Sequence, residues 1–517
     1  MAGSPDQTFP LHLGRPEDFA RVRSLLRDAA FDAEHICGAL GITSLADLGS
    51  ARPDQLVEAA REATAFPLLV RLFLLVEAIA RPAVERTLGV PAIESLLALD
   101  LLRRDAGTDG SAVYFAPVLL YPVANVIIAS DRHENPDGSP FVAPPDVVFP
   151  AIFSGTLRFL RVIPTSPADD ALDLCSGTGI GALALSGHVR RVVASDLTAR
   201  ATHFARFNRL LNGCDNVEVL QGDLYEPVAG RTFDRIVAHP PYVPALSASQ
   251  IFRDAGDTGE SILQRIVAGL PQHLRPGGTF VAVSAGWDTA AATFEQRIRQ
   301  WLGDHAAEFD LVFAQNEAMS PEQVARRLAD KAVVQDVGAQ QRLEARFAEA
   351  GLERNVYGAI ALRRVGAGAD PVTARPRMGE HTDGSALEWA LGWHRWRAAG
   401  EAAGELDRAV LDATMRLGTA LQVKALHVVE AGRLVRDSIV LESERPFVAS
   451  TKIEPWMLPL VADFGPGRRA RDVYARARDG AGLPEGFTAQ DFATLVAAMV
   501  ERGYLEPDQK SLQPWPT

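Results

Sequence analysis

The sequence predicts an α/β fold centred on a parallel sheet covered on both faces, with a further region on either side of it. Three observations predict it. Short, continuously apolar runs alternate with helical patterns over residues 145–365. The first run, Ala171-Leu-Asp-Leu-Cys175, ends in a glycine turn, Ser176-Gly-Thr-Gly-Ile-Gly181. The fourth, Phe233-Asp-Arg-Ile-Val-Ala238, ends in His239-Pro-Pro-Tyr242. Strands that are apolar throughout are buried on both faces, which is the condition of a parallel sheet between helices.

Length and composition bound what surrounds that core. A chain of 517 residues is too long for one core, so two to four domains are expected. A hydrophobic content of 47% with 23% charged residues is globular. The net charge of −13 argues against a general nucleic-acid coat, though not against a local basic groove. Cys37, Cys175 and Cys214 have neither metal spacing nor a disulfide pattern. With no His-Glu-x-x-His motif either, no metal is expected. The chain opens without a charged-then-apolar leader. The run Phe66–Val76 is interrupted by Arg71 and too short to span a bilayer, so a soluble cytoplasmic protein without membrane contact is expected.

Residues 1–135 read as helices followed by a β-ribbon. Pro16–Arg27 has helical apolar spacing behind a proline; Ser44–Leu48, Pro53–Ala60 and Val84–Leu102 follow. Gly110–Ala129 is rich in strand formers, and the order resembles a winged-helix arrangement, a module that contacts either nucleic acid or a partner domain. Asp131–Pro145 reads as a boundary loop. In the core, strands are expected at Ala171–Cys175, Arg191–Ser195, Val217–Leu220, Arg235–Ala238, Thr279–Ser284, Phe309–Ala314 and Val356–Arg363, with a helical insert at Ser320–Gly351. Residues 366–384 lack an apolar period and read as a linker. Region 385–517 reads as an α+β accessory domain, again winged-helix-like. It has a tryptophan-bearing helix (Trp389, Trp393, Trp396), strands at Ala425–Glu430 and Asp437–Leu441, and a basic stretch Arg468–Arg478. The tryptophans are read as interface anchors and the basic stretch as a solvated helix face.

The glycine turn alone is weak evidence. Gly177-Thr-Gly179-Ile-Gly-Ala182 also fits a dinucleotide fingerprint, and Asp196 at the end of the second strand would accept ribose hydroxyls from NAD as well as from an adenosyl group. A dehydrogenase therefore stays open at this point. Two features tip the balance. Asp173 within the strand-turn suits a cationic ligand and would repel a pyrophosphate, and the fourth strand ends in His-Pro-Pro-Tyr.

Together Leu172–Gly181, Ala194-Ser-Asp196, Asn208, Gly222-Asp-Leu224 and the Pro-Pro-Tyr turn resemble class I S-adenosylmethionine methyltransferases, and among them the methyltransferase small domain group. That group includes release-factor glutamine and ribosomal RNA amino-methyltransferases. The resemblance covers 145–365 and implies a Rossmann-like, seven-stranded core with S-adenosyl-L-methionine as cofactor. It implies that Asp173, Cys175, Gly177, Gly179, Asp196, Leu197, Asp223 and Leu224 line the cofactor site, with Asp196 on the ribose and Asp223 on the adenine. It further implies that His239, Pro240 and Tyr242 hold the methyl acceptor. The group's tetrapeptide is usually Asn- or Asp-Pro-Pro-Tyr, so His239 is a departure. A neutral imidazole still accepts a hydrogen bond, and near its ordinary pKa it is also a general base, which keeps hydroxyl or carboxyl acceptors in play. The expected acceptor is a nitrogen or oxygen of a protein side chain or RNA. The alternatives are a small-molecule or peptide methyltransferase, and a cofactor-binding scaffold that binds nucleic acid or a partner. The loop Phe252–Glu260, with Arg253, Asp254 and Asp257, is expected over the substrate or in solvent.

Overall fold

The computed structural model describes residues 9–50, 64–107, 110–132, 142–244, 256–330, 338–366, 368, 370–430, 432–465, 467–480 and 482–508. The helix expected at Pro53–Ala60 and the loop residues Arg253 and Asp254 lie outside them. The chain forms two compact units. One holds 1–275 with 282–284, and the other holds 276–281 with 285–517.

The core strands are β1 (Ala168–Leu174), β2 (Val189–Asp196), β3 (Val217–Gln221), β4 (Phe233–Ala238), β5 (Leu274–Thr289), β6 (Phe309–Met319), β7 (Leu352–Arg364) and the short β8 (Thr373–Ala374). Their order among the described residues is β8-β6-β7-β5-β4-β1-β2-β3. β1 pairs in parallel with β2 and β4, and β2 with β3. The β6/β7 pair is antiparallel. Each expected core strand is present, and the apolar runs are buried as a doubly covered sheet requires: Ala171, Leu172, Leu174, Ile236, Val237 and Ala238 are fully enclosed. β5 is longer than its apolar run and takes in Leu274-Arg-Pro-Gly-Gly278 ahead of it. The expected insert forms two helices, Pro321–Asp330 and Ala339–Glu349.

In the first unit the N-terminal region is fused to the core. Helix Ala65–Phe73, strand Ile79–Ala80, helices Arg81–Leu88 and Val90–Ala98, and strands Arg103–Ala106 and Ala112–Phe115 follow in sequence, and the three strands form one sheet. A second hairpin, Leu119–Val123 with Val126–Ser130, lies against helix Ala199–Asn212 of the core. Asn208 is fully buried there. Its Oδ1 accepts from Ala129 N at 2.8 Å, and its Nδ2 donates to Ala129 O and to Thr178 O in the glycine turn. Asn212 makes the same paired bonds with Ile127. Phe19 meets Phe207 edge-on, and one apolar cluster runs from Leu11 to Leu211. The N-terminal elements and the glycine turn therefore share a core.

In the second unit the stretch read as a linker is laid along the sheet edge. β8 pairs with β6, and Arg375 is bound to Asp288 and Glu295. The physical reason is that its backbone completes an open edge and its arginine neutralises two carboxylates, neither of which an apolar period reports. Helix Gly384–Ala402 follows, capped by Asp383. Trp393 and Trp396 stack at 5.3 Å inside the C-terminal core. The basic stretch is neutralised locally: Arg468 and Arg476 pair with Asp463, and Arg471 with Asp412.

Candidate active site

Four consecutive parallel strands end in a row and place every motif along one crevice. The register sets Leu174 beside Ser195 and Ala238, and Asp196 beside Gln221. The turns that follow are therefore neighbours: 175–179 after β1, 196–197 after β2, 222–224 after β3 and 239–242 after β4. Ligands of open α/β sheets bind outside the carboxyl ends of such strands.

The glycine turn is built from below by Asp173. This carboxyl is buried beneath the turn, accepts from Ala182 N at 2.8 Å and packs against Gly181, where a Cβ would fall 2.7 Å from it. Burial pushes its pKa up to about 8, against the Ala182 hydrogen bond and with a contribution from Asp196. Asp173 thus shapes the turn and starts the helix Ile180–Leu185 from a position almost wholly enclosed. A strand carboxylate between two buried leucines points inward, and sequence spacing alone does not show on which side of the turn it ends. Gly177 (φ +52°) and Gly179 (φ +81°) adopt left-handed backbone. Gly179 sits on Ala205, whereas a Cβ at Gly177 would meet nothing within 4 Å, so the space beside it is open.

Asp196 rims this opening. Its Oδ2 accepts from Gly177 N at 2.8 Å and its Oδ1 from Thr198 N at 3.1 Å, so the carboxylate is held rigid across the turn. Burial raises its pKa, and the backbone bonds oppose the rise. Leu197 beside it is 52% exposed, an apolar side chain left open at the crevice. The Asp223 carboxylate is gripped by Arg265 at 2.7 Å, a partner that no sequence signal identified. Cys175 (φ +56°) and Leu224 (φ +51°) hold left-handed conformations that cost L-residues about 1–2 kcal/mol each. Six other residues of the described chain, among them Leu11, Val76 and Asp100, share this conformation away from the crevice. Burial raises the Cys175 thiol far above its ordinary pKa, with Asp196 adding to the rise, so it is not a nucleophile here.

In the turn after β4, the His239 ring stacks on Phe159 at 5.3 Å and lies 6.0 Å from the Tyr242 ring. Its Nε2 is buried with no hydrogen-bond partner. Burial, helped by the charge of Arg158, pushes its pKa down to about 4. The imidazole is therefore neutral near pH 7. The sequence offered two roles, a neutral acceptor and a general base near pH 7; the lowered pKa favours the neutral form. The stacking on Phe159 is a contact that sequence reasoning did not place there. Pro240 is buried and fixes the turn. Of the loop expected over the substrate, Asp257 is described and Arg253 and Asp254 are not. Among the described residues no group of three or more His, Cys, Asp or Glu is placed to hold a metal ion.

The crevice thus brings together a glycine turn with open backbone space, a carboxylate held rigid across it, an exposed leucine and a buried imidazole. The family model of the methyltransferase small domain matches residues 150–305. A release factor glutamine methyltransferase of Xylella fastidiosa is 37% identical over 130 residues, covering 22% of this chain and 47% of that protein. A ribosomal protein uL3 glutamine methyltransferase of Xanthomonas campestris is 36% identical over 124 residues, covering 22% and 40%. A Methanocaldococcus jannaschii protein named "Putative protein N5-glutamine methyltransferase" is 30% identical over 141 residues, 26% of this chain and 70% of its own length. The chain belongs to the methyltransferase small domain family. It spans about half the length of the curated bacterial relatives named here, and their likeness covers about a fifth of it.

Proposed function

We propose that this protein transfers a methyl group from S-adenosyl-L-methionine to the amide nitrogen of a glutamine side chain in a protein substrate. The observation that carries the proposal is the buried, unpartnered Nε2 of His239, set at the end of β4 beside the glycine cradle that follows β1. A buried polar atom without a partner costs about 1–3 kcal/mol, and a site recovers that when its ligand supplies the hydrogen bond.

The residues present fit the cofactor. Gly177 leaves open backbone space, Asp196 is held rigid to accept ribose hydroxyls, and Leu197 offers an apolar flank to the adenine, with Asp223 at its edge. When bound, the cofactor supplies an electrophilic methyl group on a sulfonium. The carboxylates of the crevice favour that positive charge. On the acceptor side, a primary amide presents two N–H groups and a poorly nucleophilic nitrogen. A neutral His239 accepts one N–H and the Pro240 carbonyl the other, while Tyr242 packs on the amide plane. Two acceptors fix the direction of the nitrogen lone pair, which is catalysis by orientation; the one N–H proton that the amide sheds on methylation would leave along one of these hydrogen bonds to water, which needs no strong base because an N-methylated, still protonated amide is strongly acidic. A histidine whose pKa lies near 4 is a poor base toward a hydroxyl, and this supports nitrogen over oxygen as the acceptor atom. The relatives' names supply the remaining step, from a nitrogen to a glutamine amide on a translation protein.

The test is transfer of radiolabelled methyl from S-adenosylmethionine to a release-factor and ribosomal-protein fraction, with the modified residue located by peptide mass spectrometry. Label on a glutamine side chain, lost in Asp196→Ala, is the expected result. Label on oxygen or on RNA overturns the acceptor assignment, and an absence of label overturns the activity.

A further inference from the structure

Outside the crevice, the feature that the fold does not explain is a bare hairpin in the C-terminal region. Strand β9 (Gln422–Glu430) and strand β10 (Arg433–Ser443) form it, and β11 (Ala449–Ile453) closes the sheet in the order β9-β10-β11. β9 is the outer strand. It pairs with β10 from Gln422 to Glu430, and all nine of its residues are exposed. Six of the twelve exposed large apolar side chains among the described residues lie on this hairpin: Val423, Leu426, Val428, Val429, Leu434 and Val435. Val429 and Leu434 are the most exposed, at 71% and 74%. Soluble proteins blunt such edges with proline, a bulge, charged side chains or short length, and β9 carries charge at Lys424 and Glu430, toward its two ends. Here β9 has nine residues and no proline, and the irregularity at Leu426/His427 places the extra residue on β10. An open, regular and apolar edge is a surface that another strand covers.

We infer that β9 pairs antiparallel with β9 of a second copy of this chain, about a two-fold axis through His427. The charges select this partner and this register. β9 carries two charged residues of opposite sign, Lys424 and Glu430, six positions apart and therefore on the same face; Lys424 Nζ already meets Glu442 Oε2 of β10 at 2.5 Å, an exposed pair that a second copy's Glu430 would join. Centred on His427, the pairing sets Lys424 opposite the second copy's Glu430 at both ends. It also sets Leu426 opposite Val428 and Ala425 opposite Val429. Registers centred on Leu426 or Val428 oppose each charge to an uncharged residue. Self-complementarity of one patch is the requirement of an isologous dimer. The net charge of −13 on each chain is largely screened at physiological ionic strength. The inference does not depend on the proposed reaction.

Sedimentation equilibrium of the full chain at high micromolar concentration, in physiological salt, tests it together with cysteine cross-linking. The expected result is a reversible dimer, weakened more than tenfold by Leu426→Lys, whose edge carries like charges into the seam. Oxidation of His427→Cys gives a covalent dimer, because the two Cβ atoms face each other across the axis. Ala425→Cys does not, because its copies lie well apart along the strands. The native thiols at 37, 175 and 214 are partly buried and serve as the background in unsubstituted protein. A chain that stays monomeric overturns the inference, whether or not the hairpin then captures nucleic acid. So does a dimer unaffected by Leu426→Lys, or one cross-linked equally at both positions.

Discussion

Replacing His239 with glutamine, which keeps a polar side chain but removes the titration, should change how stability depends on pH. The folded pKa is about 4 and the ordinary value 6.5. Between those limits the folded chain binds fewer protons at this site than the unfolded chain, so stability rises with pH and is lost as pH falls. From the two pKa values the loss due to this one group is about 2 kcal/mol at about pH 5, and close to zero at about pH 7.5. Urea unfolding of both proteins at the two pH values reads it as a double difference, in which every other titrating group cancels. Wild type should lose about 2 kcal/mol more than His239→Gln on acidification. If the two lose the same amount, the imidazole is solvated in the folded state, and the neutral-acceptor role fails with it. The same pKa predicts a kcat/KM profile without a limb near pH 6.5. A limb there that disappears in the variant would restore a general-base role.

Three further outcomes follow from named contacts. Gly177→Ala, at φ +52° and with open space around its Cβ, should cost about 1 kcal/mol of stability yet weaken S-adenosylhomocysteine binding more than tenfold, as read by calorimetry; undiminished binding would place the ligand elsewhere. Asn208→Ala strips partners from Ala129 N, Ala129 O and Thr178 O, and should cost about 2–4 kcal/mol in urea unfolding; a loss under about 0.5 kcal/mol would show that the buried bonds are replaced by water. The Asp170 carboxyl is held down to about 2, first by its hydrogen bond to Arg191 and also by Arg275. Its stabilisation is present above the ordinary carboxylate range and disappears as pH falls toward 2. Because Arg191 is well exposed, about 1 kcal/mol is expected between wild type and Asp170→Asn near neutrality, converging in acid.

The parts legible in the sequence were those written as continuous apolar runs and local turns. β1, β2 and β4 are buried over their apolar stretches, β3 at the sheet edge is only partly so, and all four stand where those stretches stand; the register of their ends brings the glycine turn, Asp196, Asp223 and His239 together. What stayed hidden depends on contacts distant in sequence. Asp173 is enclosed beneath the turn, where its carboxyl accepts from Ala182 N. Arg265 meets Asp223 across 42 residues. Phe159 stacks on His239, and Arg158 sets a positive charge near it, both from the helix Ser154–Val162. The 366–384 stretch has linker composition because its contribution is backbone pairing and one arginine, neither of which needs an apolar pattern.

The most direct measurement is calorimetric titration of the full chain with S-adenosylmethionine, S-adenosylhomocysteine and NADH, alongside Asp196→Ala. The account predicts micromolar binding of both adenosyl ligands, lost in the variant, and no saturable binding of NADH. Binding of NADH, or of none of the three, would contradict it.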